Sequence, residues 1–252
     1  MKKKKLSFPV KPTLLLAASA MLLIGSTVGS ARAALTYYSE NYTAQMNMSS
    51  IGVTLMEQGA QDSEAKAVSH RNYQDDGAWD ETQDGELLSG MLADGEKIVP
   101  GKTYTEKLSV LNSGNIDTFV RVVITKSWQK DNAKNTDLSP ELIELKLAGN
   151  SGWVEDSSAS TDERQVFYYT NALTAGQTTN DLTDSIRIDN SIAEKVSKIV
   201  DGNTIKYVYD YDGYTFTMDA EVDAVQTHNA VDAIKSAWGV TVTSDGSTLS
   251  LQ

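Results

Sequence analysis

The sequence predicts an all-β protein, an antiparallel jelly-roll-like β-sandwich with one or two short helices. Three observations predict it. Apolar residues recur at every second position in several runs. The runs are short and are separated by Asn, Asp, Ser and Gly, the residues that form turns. Helical spacing is scarce.

The longest alternating run is Tyr214 to Gln226. Tyr214, Phe216, Met218, Ala220, Val222 and Ala224 fall on one side, and Thr215, Thr217, Asp219, Glu221 and Asp223 on the other. Just before it, Ile205, Tyr207 and Tyr209 alternate with Lys206 and Asp210. Asp212-Gly213 between the two runs predicts a hairpin, because these residues tolerate positive φ. Leu108 and Val110 mark another strand. Val120, Val122 and Ile124 mark the next, with Arg121 and Thr125 outward and Asn112-Ser113-Gly114-Asn115 as the turn between the two. Ile143, Leu145 and Leu147 follow Pro140, and further strands are expected at Val166 to Thr170, Leu182 to Ile188 and Ile192 to Val200. Val240 and Val242 are placed to pair with Leu249 and Leu251 across Ser244-Asp245-Gly246.

Asn229 to Trp238 is the best helix. Asn229 is positioned to cap it, Asp232 lies in the first turn, Ile234 and Trp238 share a face, and Gly239 suits a left-handed end. A second short helix is expected at Gly85 to Ala93. Gln58 to Gln83 is acidic and aperiodic, and is expected to be a mobile excursion from a single domain spanning 34–252.

The first 33 residues read as a signal peptide. A basic MKKKK start precedes the apolar run Thr13 to Val28, and small residues follow at Ala31 and Ala33. The run is shorter than the ~20 residues that cross hydrocarbon. Cleavage is expected after Ala33, leaving Ala34 first. No second apolar stretch approaches spanning length, and SDGSTLSLQ at the C-terminus holds no LPxTG-like signal. The expectation is a secreted protein with no stable membrane anchor after cleavage.

Six of the 22 basic residues and none of the 34 acidic ones lie in that leader, so the remainder carries 16 basic and 34 acidic residues, a net charge of −18. Such a surface repels phosphate backbones, which argues against nucleic-acid binding. The chain has no cysteine, which removes disulfides, thiolate metal sites and cysteine nucleophiles and fits a Gram-positive exported protein.

No catalytic constellation emerges, and the chain is read as a non-enzyme. His70 and His228 are the only histidines and form no HExxH, and there is no GxSxG. Asp75, Asp76, Asp80, Glu81 and Asp84 raise Ca²⁺ as the one conceivable ion, but they lack EF-hand spacing. Asp201-Gly202-Asn203 and Asp210-Tyr211-Asp212-Gly213 read as turns, and no cofactor is expected. Tyr207, Tyr209, Tyr214, Trp128 and Trp238 are expected to fill the core.

Ala34 to Met48 (ALTYYSENYTAQMNM) is β-prone and aromatic, with Glu40 its only charge. It reads either as an ordinary first strand or as a donor strand that adds to a neighbouring subunit through Leu35, Tyr37, Tyr38, Tyr42, Met46 and Met48. Head-to-tail addition that does not close yields a filament.

Three stretches together resemble the TasA/camelysin family: ALTYYSENYTAQMNMSSIGVTLMEQG, VPGKTYTEKLSVLNSGNIDTFVRVVITKSW and AEVDAVQTHNAVDAIKSAWGV. The likeness covers most of the chain after the leader and is closest to exported clostridial relatives with a SipW-dependent type of signal peptide. It implies a jelly-roll sandwich, trimming by a dedicated signal peptidase, and a role in extracellular fibres of the biofilm matrix. It also implies self-association in which the N-terminal strand completes the next subunit. Camelysin-type members are described as metalloproteases, but this chain has no recognisable zinc motif, so that activity does not carry over. The first alternative is a monomeric secreted or cell-surface module that binds glycan or protein, and the more distant one is a camelysin-like metalloprotease.

Overall fold

In the computed structural model, the described residues are 50–74 and 78–252. The leader, the cleavage residues Ala31, Ala33 and Ala34, the segment Ala34 to Met48, and Asp75 and Asp76 lie outside them.

The chain forms β1 (Gly52–Gly59), β2 (Lys66–Tyr73), β3 (Trp79–Gln83), β4 (Thr103–Asn112), β5 (Thr118–Lys130), β6 (Ala133–Asn135) and β7 (Ile143–Leu147). It continues with β8 (Trp153–Glu155), β9 (Arg164–Tyr169), β10 (Thr183–Ile188), β11 (Val196–Asp201), β12 (Thr204–Tyr209) and β13 (Tyr214–Gln226). Helix α1 (Ala230–Trp238), β14 (Val242–Ser244) and β15 (Leu249–Leu251) complete it.

Two antiparallel sheets make the expected sandwich. One has six strands in the order β3-β2-β1-β4-β10-β7, and the other has five, with β13-β5-β9-β8 in order and β6 beside β5. Their inner faces meet in one core. Val53, Leu55, Leu108, Val110, Ile143 and Ile186 come from the first sheet, and Val120, Val122, Ile124, Phe167, Met218 and Val222 from the second. Burying such side chains contributes about 1.5–3 kcal/mol each.

β5 is apolar on both faces, unlike a half-exposed strand. Its even positions enter the main core, while Phe119 and Val123 face a second cluster under α1, β14 and β15 with Tyr168, Val225, Ile234, Val242 and Leu249. Helix α1 covers this outer face with Ala230 and Ile234. It ends at Gly239, whose φ of 72° lets its N–H reach Lys235 O. Asn229 does not cap by its side chain. It has φ 54° and makes no side-chain bond to the helix.

Other expectations are corrected. The described part of Gln58 to Gln83, expected to be aperiodic, contains β2 and β3, paired in register from Ser69↔Gln83 to Tyr73↔Trp79. A polar strand held by main-chain bonds has no apolar period to reveal it. Gly85 to Ala93 is a run of turns, not a helix; Leu88 sits at φ 68° and Gln61 N–H donates to Gly90 O. That crossing needs glycine, since a Cβ on Gly59 would lie 2.3 Å from the Gly90 carbonyl. Asp212-Gly213 turns the chain without closing a hairpin, because β12 pairs with β11 and β13 with β5. Ile192 falls in a short 3₁₀ turn, Asn190–Ala193, before β11. The turn at Asn112 to Asn115 passes between the sheets instead of joining paired neighbours. Trp128 is buried and Tyr214 and Trp238 are partly buried, but Tyr207 and Tyr209 are exposed on the β11–β12 ribbon.

Candidate functional site

Among the described residues, β13 stands at the edge of the five-stranded sheet. Its whole length, from Tyr214↔Lys130 to Gln226↔Thr118, pairs with β5 on one side. Among the described residues no strand pairs with the other side. Across this seam stand β2 and β3 of the opposite sheet.

The seam is hollow. A cleft of about 470 Å³ is lined by Leu55, Val68, Leu87, Leu88, Phe216 and Met218 among others. A second, of about 230 Å³, adjoins it through shared Ser69, Gln83 and Ala220 and is lined by His70, Arg71, Glu81 and Glu221. Together they follow β13 from Phe216 to Val222. At 3.2–3.4 Å per residue, that is roughly 20 Å, the length of one ordinary strand. Phe216 and Ala220 pack against the main core yet are only half-buried. Among the described residues the groove therefore offers an apolar floor and an unpaired main-chain edge, the two features that receive an added strand.

Charges mark the polar end. Asp223 on β13 is buried and pairs with Arg71 of β2 and with Arg121 of β5, whose Nε donates at 3.0 Å. Arg71 also lies 2.9 Å from Glu81 and 3.7 Å from Glu221. Its guanidinium sits 4.9 Å from the centre of the Trp79 ring. His70 Nδ1 is 2.7 Å from Asp84 and Nε2 is 3.5 Å from Asp80. The bond to Asp84 raises the imidazole pKa against the opposing pull of burial.

Beneath the apolar end lie two core-facing carboxyls. Gly59 pairs with Glu106 and Glu57 with Leu108, so Glu57 and Glu106 are diagonal neighbours on one face. Glu57 accepts the Leu88 N–H at 2.5 Å. Glu106 is wholly buried, and neither of its oxygens receives a donor. Burial, reinforced by Glu57, pushes Glu106 up to about 10. A protonated Glu106 satisfies this geometry, since its own O–H can donate to Glu57.

Lys126 is buried as well. Its Nζ donates to Ile143 O at 2.5 Å, and burial lowers its pKa.

Of the sequence-derived candidates, His70, Asp80, Glu81 and Asp84 come together, as ion pairs along β2 and β3. His228 stands apart in the exposed turn before α1. Among the described residues no group of three His, Asp or Glu side chains is arranged to hold a metal ion. No helix among them is long and apolar enough to cross a membrane. The seam itself escaped sequence reading. Its one signal is the mismatch between the strongly alternating β13 and the polar segment that faces it.

Fold and site together define an antiparallel β-sandwich with an open, strand-wide seam. No family model matches the chain, and no curated protein or solved structure matches it.

Proposed function

We propose that this chain is a secreted structural protein of an extracellular matrix that assembles by strand addition. One copy supplies Ala34 to Met48, and the next receives it in the seam beside β13. The observation that carries this reading is the edge of β13 that no other strand pairs among the described residues, above a half-buried apolar floor. An incoming strand would extend the β5–β13 ladder and set alternate side chains onto Phe216, Met218 and Leu88. Because donor and acceptor are different surfaces, repetition gives an open filament.

Three sequence features support it: the signal-peptide layout of residues 1–33, the β-prone low-charge stretch at Ala34 to Met48, and the resemblance to TasA-type fibre proteins. Export would proceed through a dedicated signal peptidase. No catalytic role, nucleic-acid partner or cofactor forms part of the proposal.

Deletion of Ala34 to Tyr42 tests it. The expected result is a folded monomer and no fibres by electron microscopy, and fibres that persist would overturn the mechanism. The mixed charges around Arg71 and Glu81 also suit an extended peptide from another protein. A processed chain that stays monomeric at high concentration would favour that binding-module reading.

A further inference from the structure

Among the described residues a separate cavity opens at the start of β13, beyond Phe216. It measures about 530 Å³, and Phe216 is the only residue it shares with the cleft of the seam. Trp128, Tyr211 and Tyr214 give it aromatic walls, and Ile98, Ile188 and Ile192 aliphatic ones. Its size falls within the range of about 300–1,000 Å³ typical of small-molecule sites. The loop beside it is fixed. Gly101 N–H donates to Ile188 O at 2.8 Å, and Val99 N–H donates to Tyr104 Oη at 2.8 Å. Pro100 between them has a locked φ. The cavity is therefore formed before any ligand arrives.

Its chemistry is apolar for a specific reason. The polar atoms of two aromatic walls are engaged elsewhere: Trp128 Nε1–H donates to Ser139 O at 2.9 Å, and Tyr214 O–H donates to Asp137 at 2.8 Å. The other polar side chains of the lining are Tyr211, Thr215 and Lys97. These are too few for the hydroxyls of a sugar, each of which costs free energy when buried unpaired. They suit a hydrocarbon body with one polar end.

Lys97 sets the character of that end. It is the only charged residue of the lining, and its side chain is exposed at the rim. Among the described residues it takes part in no ion pair. The acids close to it in the chain or beside the lining are occupied: Glu96 by Lys102, Asp189 by the Ser191 N–H and Asp212 by the Tyr209 N–H. No carboxylate lines the cavity.

We infer that this cavity binds an amphipathic acid, with an aliphatic chain inside and a single anionic group at Lys97. Apolar burial provides most of the affinity, and the exposed lysine adds direction more than strength. The inference goes beyond strand addition and does not depend on it.

Titration calorimetry of the processed chain with hexanoate, octanoate and decanoate tests it. Affinity should rise about fourfold per added methylene, the factor that burial of one CH₂ provides. Ile98→Trp fills the cavity and should weaken decanoate binding about tenfold or more. Lys97→Ala should weaken octanoate about threefold, as loss of an exposed pair does, and leave octanol unchanged. Thermal melts without ligand check that the variants fold. Should Ile98→Trp melt early, Thr215→Trp at the exposed rim takes its place. Equal affinity across the chain lengths, no saturable binding, or decanoate binding that survives the folded tryptophan variant overturns the inference. Octanoate and octanol weakened alike by Lys97→Ala overturn the place given to the anion. Vesicles of anionic lipid identify the source of the chain. Co-sedimentation that decanoate competes away assigns the site to a membrane lipid, and decanoate binding without co-sedimentation assigns it to a free acid.

Discussion

Arg71 on β2 and Asp223 on β13 form an ion pair that ties the six-stranded sheet to the five-stranded one at the end of the open seam. Asp223 also holds Arg121, whose guanidinium lies 5.1 Å from the centre of the Trp238 ring on α1. One buried carboxylate therefore links both sheets and the helix that covers the outer face.

Asp223→Ala should therefore destabilise the fold. Removing the shared partner of two arginines leaves them facing each other with no anion, and breaking a pair of this kind costs about 3–5 kcal/mol when fully buried. Both arginines retain some solvent, which reduces the loss to about 2 kcal/mol. Chemical denaturation should show a lower midpoint. Arg71→Ala should cost less, because Arg121 still neutralises Asp223. Equal losses for the two variants would contradict the shared role.

Glu106 sets a pH dependence. Its folded pKa, about 10, stands above the ordinary value of 4.5, so between those values the folded chain binds a proton that the unfolded chain releases. Its contribution is fully present below pH 4.5 and is lost as pH rises toward 10. Glu106→Gln keeps the donor toward Glu57 without the titration. The variant should melt higher than the parent at pH 8, with the difference shrinking toward pH 4.5. A gap that stayed constant over that range would argue against a protonated Glu106.

His70 has the same sign in a narrower window. Its pKa is raised by Asp84, so its pairing is complete below 6.5 and fades as pH climbs through the raised value. Partly exposed pairs contribute at most about 1 kcal/mol. His70→Gln should lose stability at pH 5.5 and almost none at pH 9, measured as the difference from the parent. The imidazole signals followed by NMR should titrate above the usual histidine value; titration below it would refute the pairing.

Local features were legible in the sequence and non-local ones were not. The β14–β15 pair forms across Ser244-Asp245-Gly246 as expected, because a local turn settles it, but its register sets Val242 opposite Leu251 and Ser244 opposite Leu249 and leaves Val240 outside the ladder. The β13 faces follow period two, and Met218 and Val222 point into the core as expected. The ladder partner of β13 is a different matter: Asp212-Gly213 is a real turn, but β5 outcompetes β12 by offering thirteen register positions and a buried apolar face. Alternation at Tyr207 and Tyr209 marks an apolar side without saying what covers it. β2 and β3 are held by His70–Asp84, Arg71–Glu81 and main-chain bonds, none of which leaves a hydrophobic period.

The start of α1 offers the last prediction. Asn229 fits the sequence pattern of a cap, but its φ of 54° is left-handed and its side chain makes no capping bond. The residue is tolerated there because Asn visits that region more readily than other non-glycine residues. Asn229→Gly removes the steric cost and forfeits no bond, so stability should hold or rise by about 0.5 kcal/mol. Asn229→Ala keeps the cost without asparagine's tolerance and should lose about 1 kcal/mol. A side-chain cap would reverse the contrast: glycine would then lose the bond as alanine does. Thermal melts of the two variants separate the cases, and a glycine variant as unstable as the alanine one would show that the asparagine amide caps the helix after all.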